Sequence, residues 1–392
     1  MTPAARTQAA IELLDQITVA ARNGGAAADV LIARYFQQRR YAGSKDRRAV
    51  RTLVYEAIRT LGERPASGRA AVLALAADRP DLAATFDGSG FGPAAIAPGE
   101  PVARAGLAPA WLHDALQRSD LDRRQLQALL DRAPLDIRVN TLMGTRDDAA
   151  ALFDGAVPIA HTPAGLRLPA DTDVERSDAF AGGLVEVQDA GSQLATLATG
   201  AAPGMTVVDL CAGGGGKTLA LAALMANEGR IVATDTDRTR LQRLQPRADR
   251  AGVTIAEARL LDPGEEAAAL DDLRDTADLV LVDAPCSGTG TWRRNPEARW
   301  RLTAARLARL LETQCRLLDL AAALVRPGGA LAFVVCSLLD AEGREQVDGF
   351  LGRHAGWSTE PVAIGTAHGA GARLTPASDG TDGFFVARLR RP

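Results

Sequence analysis

Cysteine, histidine, lysine and long apolar runs are all scarce in this chain of 392 residues. Four cysteines (Cys211, Cys286, Cys315 and Cys336) are too few for a disulfide framework, and no two have CxxC metal spacing. The four histidines, at 113, 161, 354 and 368, are scattered, so no metal site is expected. No stretch approaches the roughly 20 apolar residues of a membrane span, and Met1-Thr-Pro-Ala-Ala-Arg-Thr has no signal-peptide core behind it. The expectation is a soluble, cytoplasmic monomer with no membrane and no metal. Its length exceeds the roughly 100–200 residues of one domain and implies two or three.

Lysine is nearly absent among the 45 basic residues: only Lys45 and Lys217 break the run of arginine. A compact ammonium differs physically from a planar guanidinium, and Lys217 stands inside a glycine turn, where it can lie against a ligand or a carboxylate. The net charge of −3 conceals two basic patches. Residues 34–59 carry Arg34, Arg39, Arg40, Lys45, Arg47, Arg48, Arg51 and Arg59 against Asp46 and Glu56. Residues 292–309 carry Arg293, Arg294, Arg299, Arg301, Arg306 and Arg309 against Glu297, with Trp292 and Trp300 interleaved. Taken singly, either patch reads more readily as a solvated helix face. Arginine beside tryptophan also suits phosphate contact with base stacking, which makes Trp292, Arg293, Arg294, Arg47 and Arg48 candidate RNA contacts.

Helical periodicity dominates residues 7–60, and an Ala-, Gly- and Pro-rich stretch follows, with an exposed linker expected over 87–101. The whole of residues 1–125 reads as a helical, RNA-recruiting domain. Leu135-Asp-Ile-Arg-Val-Asn140 alternates as a strand and Leu166-Arg-Leu168 is extended, so residues 126–180 read as a small α+β insert resembling an RNA-recognition fold. From residue 181 to 392 the pattern is that of an open α/β sheet. Val207-Val-Asp-Leu-Cys211-Ala212-Gly213-Gly214-Gly215-Gly216-Lys217-Thr218 predicts strand, glycine turn and helix start. Asp235 ends the next strand, 22 residues after Gly213, where an acidic side chain can hold ribose hydroxyls. A nucleoside cofactor is therefore expected, although dehydrogenases use the same geometry.

Two further apolar runs each end in a cysteine: Leu279-Val-Leu-Val-Asp283-Ala-Pro-Cys286-Ser-Gly-Thr-Gly290 and Ala330-Leu-Ala-Phe-Val-Val-Cys336-Ser337. As parallel strands of one sheet they would bring both thiols to the carboxyl edge, where such sheets bind ligands. The segment 302–325 is long enough for the crossover helix that makes the two strands neighbours.

Together with Arg138-Val-Asn-Thr141, Val187-Gln-Asp-Ala-Gly-Ser-Gln193 and Gly380-Thr-Asp-Gly-Phe-Phe385, these motifs resemble the NOL1/NOP2/Sun RNA (cytosine-5) methyltransferases. The helical front, with Gly43-Ser-Lys-Asp-Arg-Arg48, looks like the NusB-like domain of the bacterial Sun (RsmB-like) branch. The resemblance runs nearly end to end and implies a Rossmann-like class I methyltransferase domain with a doubly wound sheet. The implied cofactor is S-adenosyl-L-methionine and the implied partner 16S rRNA or a small-subunit assembly intermediate. Two departures stand out. The family's Ala-Pro-Gly-Gly-Lys is Gly-Gly-Gly-Gly-Lys here, and its Pro-Glu-Glu-Asn after the second cysteine is Asp340-Ala-Glu-Gly343, in which only Glu342 matches.

The chemistry explains the need for two thiols. C5 of cytosine is a poor nucleophile until a thiolate adds to C6 and makes C5 enamine-like. By resemblance, Cys336 forms this covalent adduct and Cys286 assists its breakdown, while Asp283 lies near N3 of the base and at the sulfonium side of the cofactor. The resemblance also places Cys211 to Lys217 around the methionine part of the cofactor, Asp235 at the ribose and Asp262 near the adenine. A transfer-RNA methyltransferase, an S-adenosylmethionine enzyme acting on a protein or small molecule, and a catalytically silent assembly factor are the alternatives.

Overall fold

The computed structural model describes residues 1–392 and divides into two compact units. The first comprises Met1–Asp131 together with a downstream segment, Thr291–Ala304. The second comprises Arg132–Gly290 and Ala305–Pro392. No helix is long and apolar enough to cross a membrane.

The first unit is helical. Its main helices are α1 (Pro3–Asn23), α2 (Ala28–Gln38), α3 (Ser44–Thr60) and α4 (Gly68–Ala76). α1 begins with Pro3 behind the Thr2 cap and ends at Gly24 in the left-handed region. Ile11, Leu14, Ile17, Tyr35, Val54, Ile58 and Val72 close a common core. The segment 291–304 is wedged into this unit, and its charges sit at helix ends. Glu297 accepts a hydrogen bond from Ala28 N (3.0 Å) at the start of α2, which has no side-chain cap of its own. Arg299, fully buried, donates to the carbonyls of Ile58, Arg59 (3.1 Å) and Leu61 (2.8 Å) at the end of α3, the last of which also accepts from Trp300 Nε1 (3.3 Å). Arg301 donates to the carbonyls of Gly25 and Ala26 (2.8 and 2.6 Å). An anion at a helix start and a cation at a helix end both match the helix dipole.

The sequence reading of residues 292–309 therefore needs correction. Trp292, Arg293, Arg299 and Trp300 are all buried, Trp300 in the helical core, so the two indoles offer no face on which a base could stack. Arg294 is half-buried, and Arg306 and Arg309 are exposed in the second unit.

The second unit carries two sheets. A four-stranded antiparallel sheet has the order β2 (Val157–Pro158), β3 (Gly165–Leu168), β1 (Leu135–Val139), β4 (Val185–Val187). One face is apolar, formed by Ile137, Val139, Leu166, Leu168 and Val185; the other carries Asp136, Arg138, Arg167 and Glu186. The nine-stranded sheet contains β5 (Thr206–Asp209), β6 (Arg230–Asp235), β7 (Ala256–Leu260), β8 (Ala277–Asp283), β9 (Val325–Val335), β10 (Ser358–Glu360), β11 (Thr366–His368), β12 (Gly371–Leu374) and β13 (Phe384–Arg390). Its core is parallel in the order β7-β6-β5-β8-β9, and β13 and β12 extend it antiparallel. Runs such as Leu279 to Val282 and Leu331 to Val335 are buried on both faces, as central parallel strands require. The chain runs outward from β5 to β7 and then returns to β8 on the other side of β5. The carboxyl ends of β5 and β8 thus form the switch-point crevice where open α/β sheets bind ligands.

Replacing Arg299 by alanine should destabilise the protein by about 2 kcal/mol or more. Three buried carbonyls lose a charged donor, and a cavity opens in a core. The check is the urea midpoint, with the slope used to confirm that the transition stays cooperative.

Candidate active site

The parallel register of β8 and β9 pairs Asp283 with Val334, so the loops that follow both strands leave the sheet side by side. Cys286 and Cys336 meet there, both half-buried, with their Sγ atoms 3.4 Å apart. The neighbouring strands and close thiols expected from the sequence are thus present. The Cys286 thiol is pushed well above its ordinary pKa by its hydrogen bond to Cys336, by burial and by the charge of Glu342. It therefore holds its proton.

In the sequence Glu342 is only the matching remnant of a motif, and its importance emerges from the structure. Fully buried, its carboxylate accepts from Ser287 N (2.7 Å), Ser287 Oγ, Ser337 Oγ (2.5 Å) and Gln314 Nε2 (3.1 Å). Gln314 also donates to the carbonyl of Pro285 (2.9 Å), and Thr289 Oγ1 lies 3.0 Å from Ser337 Oγ. One acidic side chain thus fastens the loop after β8 to the loop after β9. Ser287, Gln314 and Ser337 are ordinary polar residues in one dimension, and only the fold shows that they share a partner.

Across the crevice, Gly213–Gly216 form the turn after β5. Gly213 and Gly215 have φ of +57° and +84°, and a Cβ on Gly215 would fall 2.3 Å from Leu244. The turn leads into the helix Gly216–Leu224. Lys217 is buried, and its ammonium donates to Asp283 at 2.7 Å. Burial alone would lower the Lys217 pKa, but the Asp283 charge and hydrogen bond outweigh it, assisted by Cys336, and the net shift is upward. The lysine expected to lie against a ligand or carboxylate thus has its carboxylate, and it holds a positive charge near the thiol pair.

Asp235 accepts from Gly213 N (2.8 Å) and Asp237 N (2.7 Å), so it props the glycine turn while standing at the carboxyl end of β6. Asp262 is exposed just beyond the end of β7. Cys211 and Ala212 are half-buried in the same turn, and burial and nearby carboxylates push the Cys211 thiol strongly upward, which makes it inert as a nucleophile. Asp209, fully buried one strand-end deeper, accepts from Thr218 Oγ1 at 2.7 Å, and its other oxygen has no partner. Burial raises its pKa to about 7, with the Thr218 hydrogen bond opposing.

These residues fit a nucleoside with an amino-acid tail. The space beyond Gly216 is open, the Asp235 carboxylate stands at the end of β6, and an ion pair and two thiols stand at the ends of β8 and β9. A separate cavity of about 990 Å³, lined by His161, Arg167, Leu194, Glu360 and Ile364 among others, contains none of the residues nominated from the sequence. On the helical unit, Arg34, Arg40, Lys45, Arg47, Arg48 and Arg51 are exposed. Arg47, Arg48 and Arg51 line a groove of about 450 Å³ between α2 and α3, with Phe36 at its base.

Fold and site together define a Rossmann-like α/β domain with a paired-thiol centre. The family of 16S rRNA methyltransferases RsmB/F matches residues 197–390. A protein of Synechocystis sp. described as a probable ribosomal RNA small subunit methyltransferase B is 35% identical over 301 residues, covering 72% of this chain and 66% of that protein. A ribosomal RNA small subunit methyltransferase B of Xylella fastidiosa is 36% identical over 289 residues, covering 72% of this chain and 68% of that protein. The chain thus spans about two-thirds of the length of these relatives. A crystal structure of a methyltransferase homolog from Pyrococcus horikoshii superposes with a TM-score of 0.61 at 25% identity, covering 72% of this chain and 100% of that one. The chain belongs to the RsmB/F methyltransferase family.

Asp209 gives the fold a pH signature. A carboxyl whose folded pKa is raised contributes stability that is complete below its unfolded value near 4 and is lost as pH rises through about 7. Asp209→Asn should therefore gain thermal stability relative to the parent as pH goes from 4 to 8. Parallel melting curves across that range would show a constant difference if Asp209 does not titrate there.

Proposed function

We propose that this protein transfers a methyl group from S-adenosylmethionine to C5 of a cytosine in 16S ribosomal RNA, through a covalent adduct between a cysteine and C6. The observation that carries this reading is the pair of thiols 3.4 Å apart at the ends of adjacent parallel strands, facing the Lys217–Asp283 ion pair. When bound, S-adenosylmethionine supplies an electrophilic methyl group on a sulfonium. Cys211 to Lys217, Asp235, Asp262 and Asp283 are the residues that would hold it.

Cys336 Sγ adds to C6 as a thiolate, a bond forms between sulfur and carbon, and electron density moves to C5. The Lys217 ammonium, paired with Asp283, lies near that sulfur. Cys286, whose Sγ lies 3.4 Å from Cys336 Sγ, is the group beside the adduct when the C5 proton leaves and the Sγ–C6 bond breaks. Cys336 as nucleophile and Cys286 as the release residue are the roles that the family resemblance implies. Asp283 orients Lys217 and lies beside the crevice where the ring would sit. The target base must be unpaired or flipped, because C6 is inaccessible within a stack. The helical unit recruits RNA through the exposed arginines of α2 and α3, while the burial of Trp292 and Arg293 removes them from that role.

Two experiments test this. Cys336→Ala should abolish both methylation and any covalent enzyme–RNA species. Cys286→Ala should accumulate a covalent complex on a denaturing gel when cofactor and 16S rRNA are present. Adduct trapped by Cys336→Ala and absent from Cys286→Ala would invert the two roles, and methylation of transfer RNA alone would move the substrate.

Separately, neutralising Arg47, Arg48 and Arg51 should weaken RNA binding and flatten its salt dependence, by a slope of about 0.7 for each lost phosphate contact. An unchanged slope, measured by titration at several salt concentrations, would make the patch a solvated face.

A further inference from the structure

Arg138, on the polar face of β1, is a buried cation without an anion. Its relative exposure is 6%, yet its one hydrogen bond is from Nε to the neutral amide oxygen of Gln188, at 2.7 Å. No carboxylate lies within ion-pair distance. Glu186, directly opposite on β4, is already held by Arg247 (3.0 Å) and Arg250. Three guanidinium groups thus cluster about one carboxylate. Burial pushes the Arg138 pKa down to about 10, with Glu186 opposing and Arg247 adding to the shift. A buried charge left this way is costly unless something pairs with it.

Its neighbours show where the missing anion belongs. Gln188, which holds Arg138 Nε, reaches the carbonyl of Gly216 through its own amide nitrogen (3.4 Å). Arg247 donates to the carbonyl of Gly214 at 2.6 Å. Both arginines therefore flank the start of the nine-residue helix Gly216–Leu224. Its N-cap, Gly215, provides no side-chain cap, and an added Cβ on Gly216 would meet open space. Uncapped first-turn N–H groups and a free guanidinium fork form a site for a small, planar, negatively charged group.

We propose that Arg138 binds the carboxylate of the amino-acid tail of the cofactor, together with the first turn of the helix Gly216–Leu224. This rests on the cofactor reading above. A carboxylate at the end of a flexible tail can reach a side chain this deeply buried, whereas a phosphate within an RNA backbone would bring its flanking nucleotides with it. The cross-strand position of Arg138 and its Gln188 bridge make the small sheet a contributor to the site: it supplies a ligand-binding residue to the switch point of the large one.

The test compares two ligands that differ in the tail. S-adenosylhomocysteine has the carboxylate; methylthioadenosine keeps the nucleoside and sulfur but lacks the amino-acid end. By calorimetric titration, Arg138→Met should bind S-adenosylhomocysteine about 10- to 100-fold more weakly than the parent, as expected for a lost charge-assisted hydrogen bond, and methylthioadenosine equally well. Arg138→Lys, which keeps the charge without the fork, should show a smaller loss confined to S-adenosylhomocysteine and serves if the methionine variant does not fold. Equal losses for both ligands, or no loss for either, would overturn the assignment. So would a reduced salt slope for RNA binding with S-adenosylhomocysteine affinity unchanged, which would make the anion an RNA phosphate. Failure of the parent protein to bind either ligand would instead remove the cofactor reading itself.

Discussion

Everything at the proposed reaction centre depends on one buried carboxylate. Two strand-end loops that each carry a thiol have no intrinsic reason to stay together, because their backbones leave the sheet and lose the ladder that aligned β8 with β9. Glu342 supplies the tie, accepting hydrogen bonds from both loops and from the crossover helix through Gln314. A carboxylate with no exposure is tolerable only when such donors surround it. The same donors fix the backbone that places Cys286 against Cys336. The separation of the thiols is thus set by a polar network one layer behind them.

The electrostatics of the crevice follow from how few charges are admitted. Lys217 and Asp283 neutralise each other, Asp209 gives up ionisation in part to burial, and Cys211 and Cys286 keep their protons. Against this balanced background, the excess positive charge around Arg138, Arg247 and Arg250 is conspicuous. A low-dielectric crevice amplifies whichever charge is left uncompensated, which is how a fold can direct an anion to one end of a cleft and a cationic centre to the other.

Much of this was legible in one dimension because local chemistry enforces it. The glycine turn, the apolar runs ending in cysteine and the acidic residue 22 positions on are patterns of backbone geometry, and each maps onto its strand end. The isolated Lys217 was informative for the same reason: its rarity pointed to a specific partner. What failed was the reading of charge as surface. Arg299 and Arg301 looked like an exposed basic stripe but are consumed by backbone carbonyls at helix ends, an outcome that depends on residues some 240 to 276 positions away. Glu342 was likewise hidden, because its partners come from three separate segments.

The segment 291–304 also imposes an order of events on the growing chain. The helices of the first unit are made from residues 1–131, but the cap on α2, the acceptor-filling cation at the end of α3 and the indole of Trp300 in their core all arrive from residues 297–300. During synthesis from the N-terminus, this unit must wait, incomplete, while roughly 160 further residues are made, far longer than local helices need to form. Its last stabilising contacts become available only after β8 and the first thiol loop have been synthesised. An N-terminal unit that would ordinarily fold first is in this protein finished late, by a strap that leaves the chain between two strands of the large sheet.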